Sequence, residues 1–278
     1  MRKASFLVIL ALVLSGSSRA ENLAAITKLF NQAGEGEQSG DFDSAIAAYT
    51  GILAARPTDE AVLLDRGGAY AEKKDFDHAL ADFSQAIKLK PNDAMAYNDR
   101  GIIYLSLQDQ TRAIADFNTA LKLNPDFASA LGYRAIAYDF KRDLTRALAD
   151  YSALIKLQPD NEDALNARCW DRAWLNRELD GALADCNVAL KNAGDRRTAA
   201  AVRDSRGFVY FRKGDFDKAI TDYDAALKLS PQMAESLYRR GLAKAKKGDR
   251  DGARADIATA LTMDPHAGDD MVELGLKP

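Results

Sequence analysis

Cysteine and histidine are scarce: the 278 residues include two of each. That leaves too little material for a metal cage or a catalytic triad. His78 and His266 are expected at the surface, far apart and with no nucleophile fixed beside them. The G-x-S-x-G, Walker, H-E-x-x-H and EF-hand signatures are also missing. The glycine-rich stretch 34–40 follows no strand pattern and reads as a helix end and turn. No charge sign dominates. With 38 Lys+Arg against 41 Asp+Glu there is no basic excess to mark a nucleic-acid binder. Only one long apolar run occurs, which excludes a multi-span membrane protein. A composition 47% hydrophobic and 28% charged excludes collagen-like, low-complexity and largely disordered chains. Catalysis, a cofactor and a metal are therefore not expected.

The apolar run lies at the start. Met1-Arg2-Lys3 is basic, residues 6–14 are apolar, and Ser15-Gly16-Ser17-Ser18-Arg19-Ala20 is small and polar. This is the pattern of a cleavable signal peptide over residues 1–20, with cleavage expected after Ala20. The competing reading is a membrane anchor, but nine apolar residues fall short of the roughly 20 a spanning helix needs. No cysteine follows the run, which excludes a bacterial lipoprotein anchor. The expected location is the periplasm or the exterior, with no membrane span in the mature chain. Removing Arg2, Lys3 and Arg19 leaves 35 basic and 41 acidic residues, a mature charge of −6.

What is abundant is repetition. Pro57, Pro91, Pro125 and Pro159 are 34 residues apart, as are Pro231 and Pro265, and Pro159 to Pro231 is two periods plus four. A fixed period of this length signals stacked units rather than two globular domains. In the second unit Leu63, Gly67 and Tyr70 mark one helical face, and residues 73–77 form a polar turn. Ala79, Leu80, Phe83, Ala86 and Ile87 mark a second helical face, and Pro91 closes the unit. Small Gly67 and Ala79 suit a close helix approach, while Tyr70 and Phe83 fill space. The third unit repeats this with Tyr97, Gly101, Tyr104, Ala113, Phe117, Ala120 and Pro125, and the sixth with Gly207, Tyr210, Ala219, Tyr223, Ala226 and Pro231.

On these residues, with Leu131, Ala135, Tyr138, Ala147, Tyr151 and Pro159 of the fourth unit, the chain resembles the tetratricopeptide repeat family. The resemblance implies an all-α solenoid of about seven helix-turn-helix repeats over residues 21–267, about fourteen helices curving into a right-handed superhelix. Residues 268–278 follow, where Met271, Val272 and Leu274 suit a short capping helix. Departures are local. Gly34 and Gly36 weaken the first repeat, the fifth lacks its closing proline, and Lys244 replaces an aromatic in the seventh.

Two residue types covary through the repeats. Arg66, Arg100, Arg134, Arg206 and Arg240 each precede a closing proline by 25 residues, and Asp82, Asp116, Asp150, Asp222 and Asp256 precede it by nine. Arg168 and Asp185 complete the series, and the first repeat has neither, carrying Gln32 and Ala48. A guanidinium fork suits a carboxylate, so ion pairs are the leading reading and an anion-binding arginine ladder the alternative. The fifth repeat carries one extra residue between Arg168 and Asp185 and three more within residues 191–198. It also holds both tryptophans and both cysteines. By the resemblance Cys169 and Cys186 occupy facing positions, and export would favour a disulfide between them over two buried thiols.

A second stripe lies one step round each first helix. It reads Asn98, Ile102 and Leu105; Tyr133, Ile136 and Phe140; Asn166, Trp170 and Trp174; Phe208, Phe211 and Arg212; and Tyr238, Arg239 and Leu242. The resemblance places this stripe on the concave face, where it would bind a protein or peptide. The family's clamp for acidic C-terminal peptides uses Lys and Asn there, whereas Leu64, Asp65 and Asp99 stand here. The groove would be acidic toward Asp65 and Asp99 and basic toward Arg212, Arg239 and Lys246. It would suit a segment with apolar anchors whose basic end lies toward repeat two or three. Two alternatives stay open. The stripe is interior, because the superhelix is tight or chains form a homodimer, or Trp170 and Trp174 stack on a cell-envelope glycan.

Overall fold

The computed structural model describes residues 16–277, so most of the signal pattern, residues 1–15, lies outside the described residues. Everything described is helix, turn or loop. Residues 16–125 form one unit and residues 126–277 another.

The first unit holds α1 (Gly16–Ser39), α2 (Phe42–Ala55), α3 (Glu60–Glu72), α4 (Phe76–Leu89), α5 (Ala94–Ser106) and α6 (Gln110–Leu123). They pack as the pairs α1/α2, α3/α4 and α5/α6, with α2 on α3 and α4 on α5. The stretch 34–40 is the last turn and a half of α1 followed by Gly40. The second unit holds α7 (Ala128–Phe140), α8 (Leu144–Leu157), α9 (Glu162–Trp174), α10 (Leu179–Asn192), α11 (Arg196–Lys213), α12 (Phe216–Leu229), α13 (Ala234–Lys246), α14 (Arg250–Met263) and the short α15 (Asp269–Glu273). These pair in the same way, and α9 also packs directly on α11. Together they are an all-α solenoid.

The sequence writes each helix boundary in backbone chemistry. Six second helices start on an aspartate, for example Asp41, Asp75 and Asp109, whose carboxylate accepts the backbone N–H three residues on. Such a cap satisfies one orphan donor of the first turn. Just before the cap the chain turns through a left-handed residue. Lys74, Gln108 and Arg142 adopt it at φ near +60°, while Gly214 and Gly248 adopt it without a Cβ penalty. At the other end Lys90 N–H reaches back to Ala86 O at 2.8 Å, and Pro91 stops the helix.

The expected small-on-large packing is present. A Cβ on Gly67 would lie 2.7 Å from the Phe83 ring, one on Gly101 2.7 Å from Phe117, and one on Gly207 2.8 Å from Tyr223. The rings occupy the space a side chain would need. Ala45, Ala79, Ala113, Ala147 and Ala219 are fully buried opposite them.

The fifth repeat departs in two places. Its inner turn has four residues where the others have two or three, and both Asn176 and Glu178 are left-handed. Glu178 stands where other repeats have a capping aspartate and makes no cap bond. The other extra residues, placed by the spacing within residues 191–198, do not form a longer linker between α10 and α11. They extend α11 to 18 residues, starting from Asp195, which caps both Arg197 and Thr198. In the tail, Met271 is fully buried, but Val272 faces solvent and does not contribute to the cap.

Candidate functional site

The Arg/Asp series forms pairs within each repeat. Arg66 Nε and Nη2 donate to the two carboxylate oxygens of Asp82 at 2.8 Å each. Arg100 and Asp116, Arg134 and Asp150, Arg168 and Asp185, Arg206 and Asp222, and Arg240 and Asp256 repeat that geometry between 2.6 and 2.8 Å. The aspartates are buried and the guanidiniums half-buried. The remaining Nη1 reaches the preceding second helix: Arg66 to Thr50 at 3.0 Å, Arg100 to Ser84 at 3.1 Å and Arg168 to Ser152 at 3.2 Å. With their donors so committed, these side chains are a frame, not an anion ladder. Where a tyrosine of the first helix is replaced, the substitute joins the frame. Arg172 donates to Asp185 at 2.6 Å, and Lys244 pairs with Asp256 at 2.8 Å.

Cys169 and Cys186 are bonded to each other, their Cα atoms 5.7 Å apart, and both are fully buried. The bond joins α9 to α10 where other repeats place a glycine or alanine against a ring.

The second stripe divides. On α7, Tyr133 and Ile136 are each 37% exposed and Phe140 is 67% exposed. Tyr133 and Ile136 border an open groove of about 550 Å³ between α7, the end of α8 and the start of α9. Ile102, Asn166, Trp170 and Arg212 are half-buried. The rest are not surface residues. Asn98, Trp174, Phe208, Phe211, Tyr238 and Arg239 are buried, so they cannot meet a partner as the stripe predicted. For those on α9, α11 and α13 the cause is packing among the first helices of the second unit. Trp170 lies 5.0 Å from Phe208 and 6.2 Å from Trp174, and Arg239 covers the Trp170 ring at 4.7 Å. Arg239 is not a free cation: it donates to Asp204 on α11 and to Asp270 on α15, both at 2.5 Å. Burial of Asp204 pushes its carboxyl up, against the pull of Arg239 and Ser236. Arg212 stands half-buried over Phe208, burial lowering its pKa, and Lys246 is exposed.

In the first unit Asp65 lies on α3 and Asp99 on α5. Burial raises both carboxyls, with Glu37 and Asp59 adding to the shift at Asp65.

One cluster was missed. Asp139, one residue before Phe140 at the end of α7, accepts from Tyr151 Oη of α8 at 2.6 Å. The carboxyl of Asp171 on α9 donates to it. Burial, then the charge of Asp139, push Asp171 up to about 8. Burial also raises Asp139. A spacing carried the signal: Tyr49 donates to Glu37 at 2.9 Å across the same 12 residues. Where the ring is Phe83 or Phe117, the position 12 before it holds Ala71 or Leu105.

Among the described residues no group of His, Cys, Asp and Glu is placed to hold a metal ion, and no helix is long and apolar enough to cross a membrane. Four family models match the sequence, three described as tetratricopeptide repeat over residues 37–94, 67–135 and 234–266 and one as TPR repeat over 207–248. No curated protein sequence matches it. Among solved structures, a tetratricopeptide repeat protein from Parabacteroides merdae ATCC 43184 is similar at 19% identity and a TM-score of 0.64, covering 91% of this chain and 98% of its own. YrrB, a TPR protein with an unusual peptide-binding site, is 21% identical with a TM-score of 0.55, over 70% of this chain and 98% of its own. The APC/C hetero-tetramer Cut9-Hcn1 is 16% identical with a TM-score of 0.64, over 88% of this chain and 48% of the other. At these identities the likeness is one of fold.

Proposed function

Because the chain belongs to the tetratricopeptide repeat family, a fold used for protein–protein interaction, we propose that it is a non-enzymatic scaffold of the bacterial cell envelope that holds a protein or peptide partner on α7. One observation carries the choice of surface. Tyr133, Ile136 and Phe140 stand exposed at i, i+3 and i+7 of one helix, the first two beside an open groove of about 550 Å³. Scattered exposed apolar residues need no explanation, but three in line on one helix, two of them bordering a groove, fit helix-in-groove or extended-peptide recognition. The envelope location rests on the basic, apolar and small-residue order of residues 1–20.

The test places a photoreactive phenylalanine at position 136 in cells, identifies the crosslinked protein, and measures its binding to purified chains. Phe140→Ser combined with Ile136→Ser is expected to weaken that binding by about 2 kcal/mol or more. Both side chains are solvent-exposed, so helicity and melting should hold. Undiminished binding by the folded double variant would move the partner to another surface.

A further inference from the structure

The second unit contains a smaller cavity, of about 250 Å³, bounded by the end of α7, the middle of α9 and Ser205 of α11. Its walls bring together Asp139, Asn166 and Asp171 with Trp170 and Trp174. Three of its oxygens have no donor: Asp139 Oδ1, Asn166 Oδ1 and Asp171 Oδ2. Asp171 is only 3% exposed. Buried acceptors are normally paired, because stripping them of water without a replacement bond is costly. A proton shared by the two carboxyls serves those two oxygens and leaves the Asn166 oxygen unserved. The nearest cation does not fill the role. Arg142 also lines the cavity and its charge acts on Asp139, but its guanidinium lies over Trp174 at 4.7 Å and pairs with Glu273 of α15 at 3.2 Å.

We propose that this cavity is a binding site for a primary ammonium group on an alkyl chain. Such a group is a compact cation with three donors and no acceptor; taking the place of the shared proton, it serves all three oxygens, and the two carboxylates then outweigh the single charge of Arg142 in the lining. The Trp170 and Trp174 side chains in the wall cover the alkyl stem. A neutral alcohol has one donor for three acceptors, and a quaternary ammonium has none. The inference stands apart from the α7 groove: it requires neither Ile136 nor Phe140, and either assignment can fail alone.

Trp170 and Trp174 are the only tryptophans of the chain, so the emission of the full-length protein reads the occupancy of this cavity. Titration with n-butylammonium chloride is expected to change that emission saturably. Equal concentrations of 1-butanol or tetramethylammonium chloride are expected not to. Asp171→Asn should weaken butylammonium binding about tenfold or more with unchanged circular dichroism. A parallel titration with lysine blocked at both its amino and carboxyl ends separates the sources. Saturable binding of both probes assigns the site to a lysine side chain of a partner. Binding of butylammonium alone assigns it to a small free amine, and either result supports the site. No saturable change with either primary ammonium, an equal response to 1-butanol, or full affinity in a folded Asp171→Asn variant would overturn it. Should that variant not fold, the comparison of the three probes on the native chain decides the matter.

Discussion

Two tyrosines in equivalent positions sit in opposite circumstances. Tyr151 Oη donates to Asp139 at 2.6 Å, whereas Tyr223 Oη is fully buried with no hydrogen-bond partner. The residue 12 positions earlier explains the contrast: it is an aspartate for Tyr151 and Phe211 for Tyr223. Tyr223→Phe should therefore be neutral or stabilising by about 1 kcal/mol, since an unmet buried hydroxyl is lost. Tyr151→Phe should cost roughly 1–3 kcal/mol, because it strips a buried carboxyl of its donor. Urea unfolding of the two variants checks both, and equal effects would contradict the assignment. Asp171 gives a pH dependence. Its folded pKa is raised from 3.8 to about 8, so between those values the folded chain holds a proton that the unfolded chain has released. Its contribution is fully present below about pH 4 and declines as pH rises through about 8. Asp171→Asn keeps a donor toward Asp139 at every pH. The variant should lose stability less steeply between pH 5 and pH 8 than the native chain and be the more stable at pH 8. Parallel slopes in urea midpoints would show that the pair does not titrate in this range.

Between elements, the Arg/Asp frame and the cystine do the joining. Asp116 is buried and accepts two bonds from Arg100, so Asp116→Ala leaves a half-buried guanidinium with an unpaired fork. The expected cost is about 3 kcal/mol, the low end for a buried pair because Arg100 keeps part of its surface in water. Exchanging the two residues should recover part of that loss, and no recovery would show that the pairing itself contributes little. The Cys169–Cys186 bond closes a separation of 17 residues between α9 and α10, and it lies in the repeat that lost its capping aspartate. On the chain-entropy model its reduction should lower stability by about 3 kcal/mol. Chemical unfolding with and without reductant measures this, and a non-reducing digest of exported protein should contain the linked peptides. These element-scale features were legible early, because they depend on residues 16 or 17 apart in a strictly repeated frame. The left-handed Glu178 and the lengthened α11 were not. An insertion shows in the spacing, but whether it becomes loop or helix is settled by what the new turn packs against, here α9 and α10.

For the whole molecule, export and recognition are the open chemical questions. Cleavage after Ala20 predicts a mature chain beginning at Glu21 with charge −6, which intact mass of periplasmic protein would show. A mass including residues 1–20 would place the chain on the other side of the membrane, where the cystine would not persist. The sequence by itself determined the repeat, its paired helices and the covarying arginines and aspartates, and the family resemblance added the facing of the two cysteines. Each of these is a local contact, repeated at a fixed offset, and periodicity encodes such contacts directly. It did not determine which of the outward positions meet solvent. Ile136, Trp170, Phe208 and Leu242 occupy one register of successive first helices, yet Ile136 is exposed, Trp170 half-buried and the other two buried. Only the tertiary structure decided this, because what covers Phe208 is the Trp170 ring of another repeat, with Arg239 of a third lying over that ring. Exposure is a property of what lies opposite, and the spacing of residues along one helix carries no record of it.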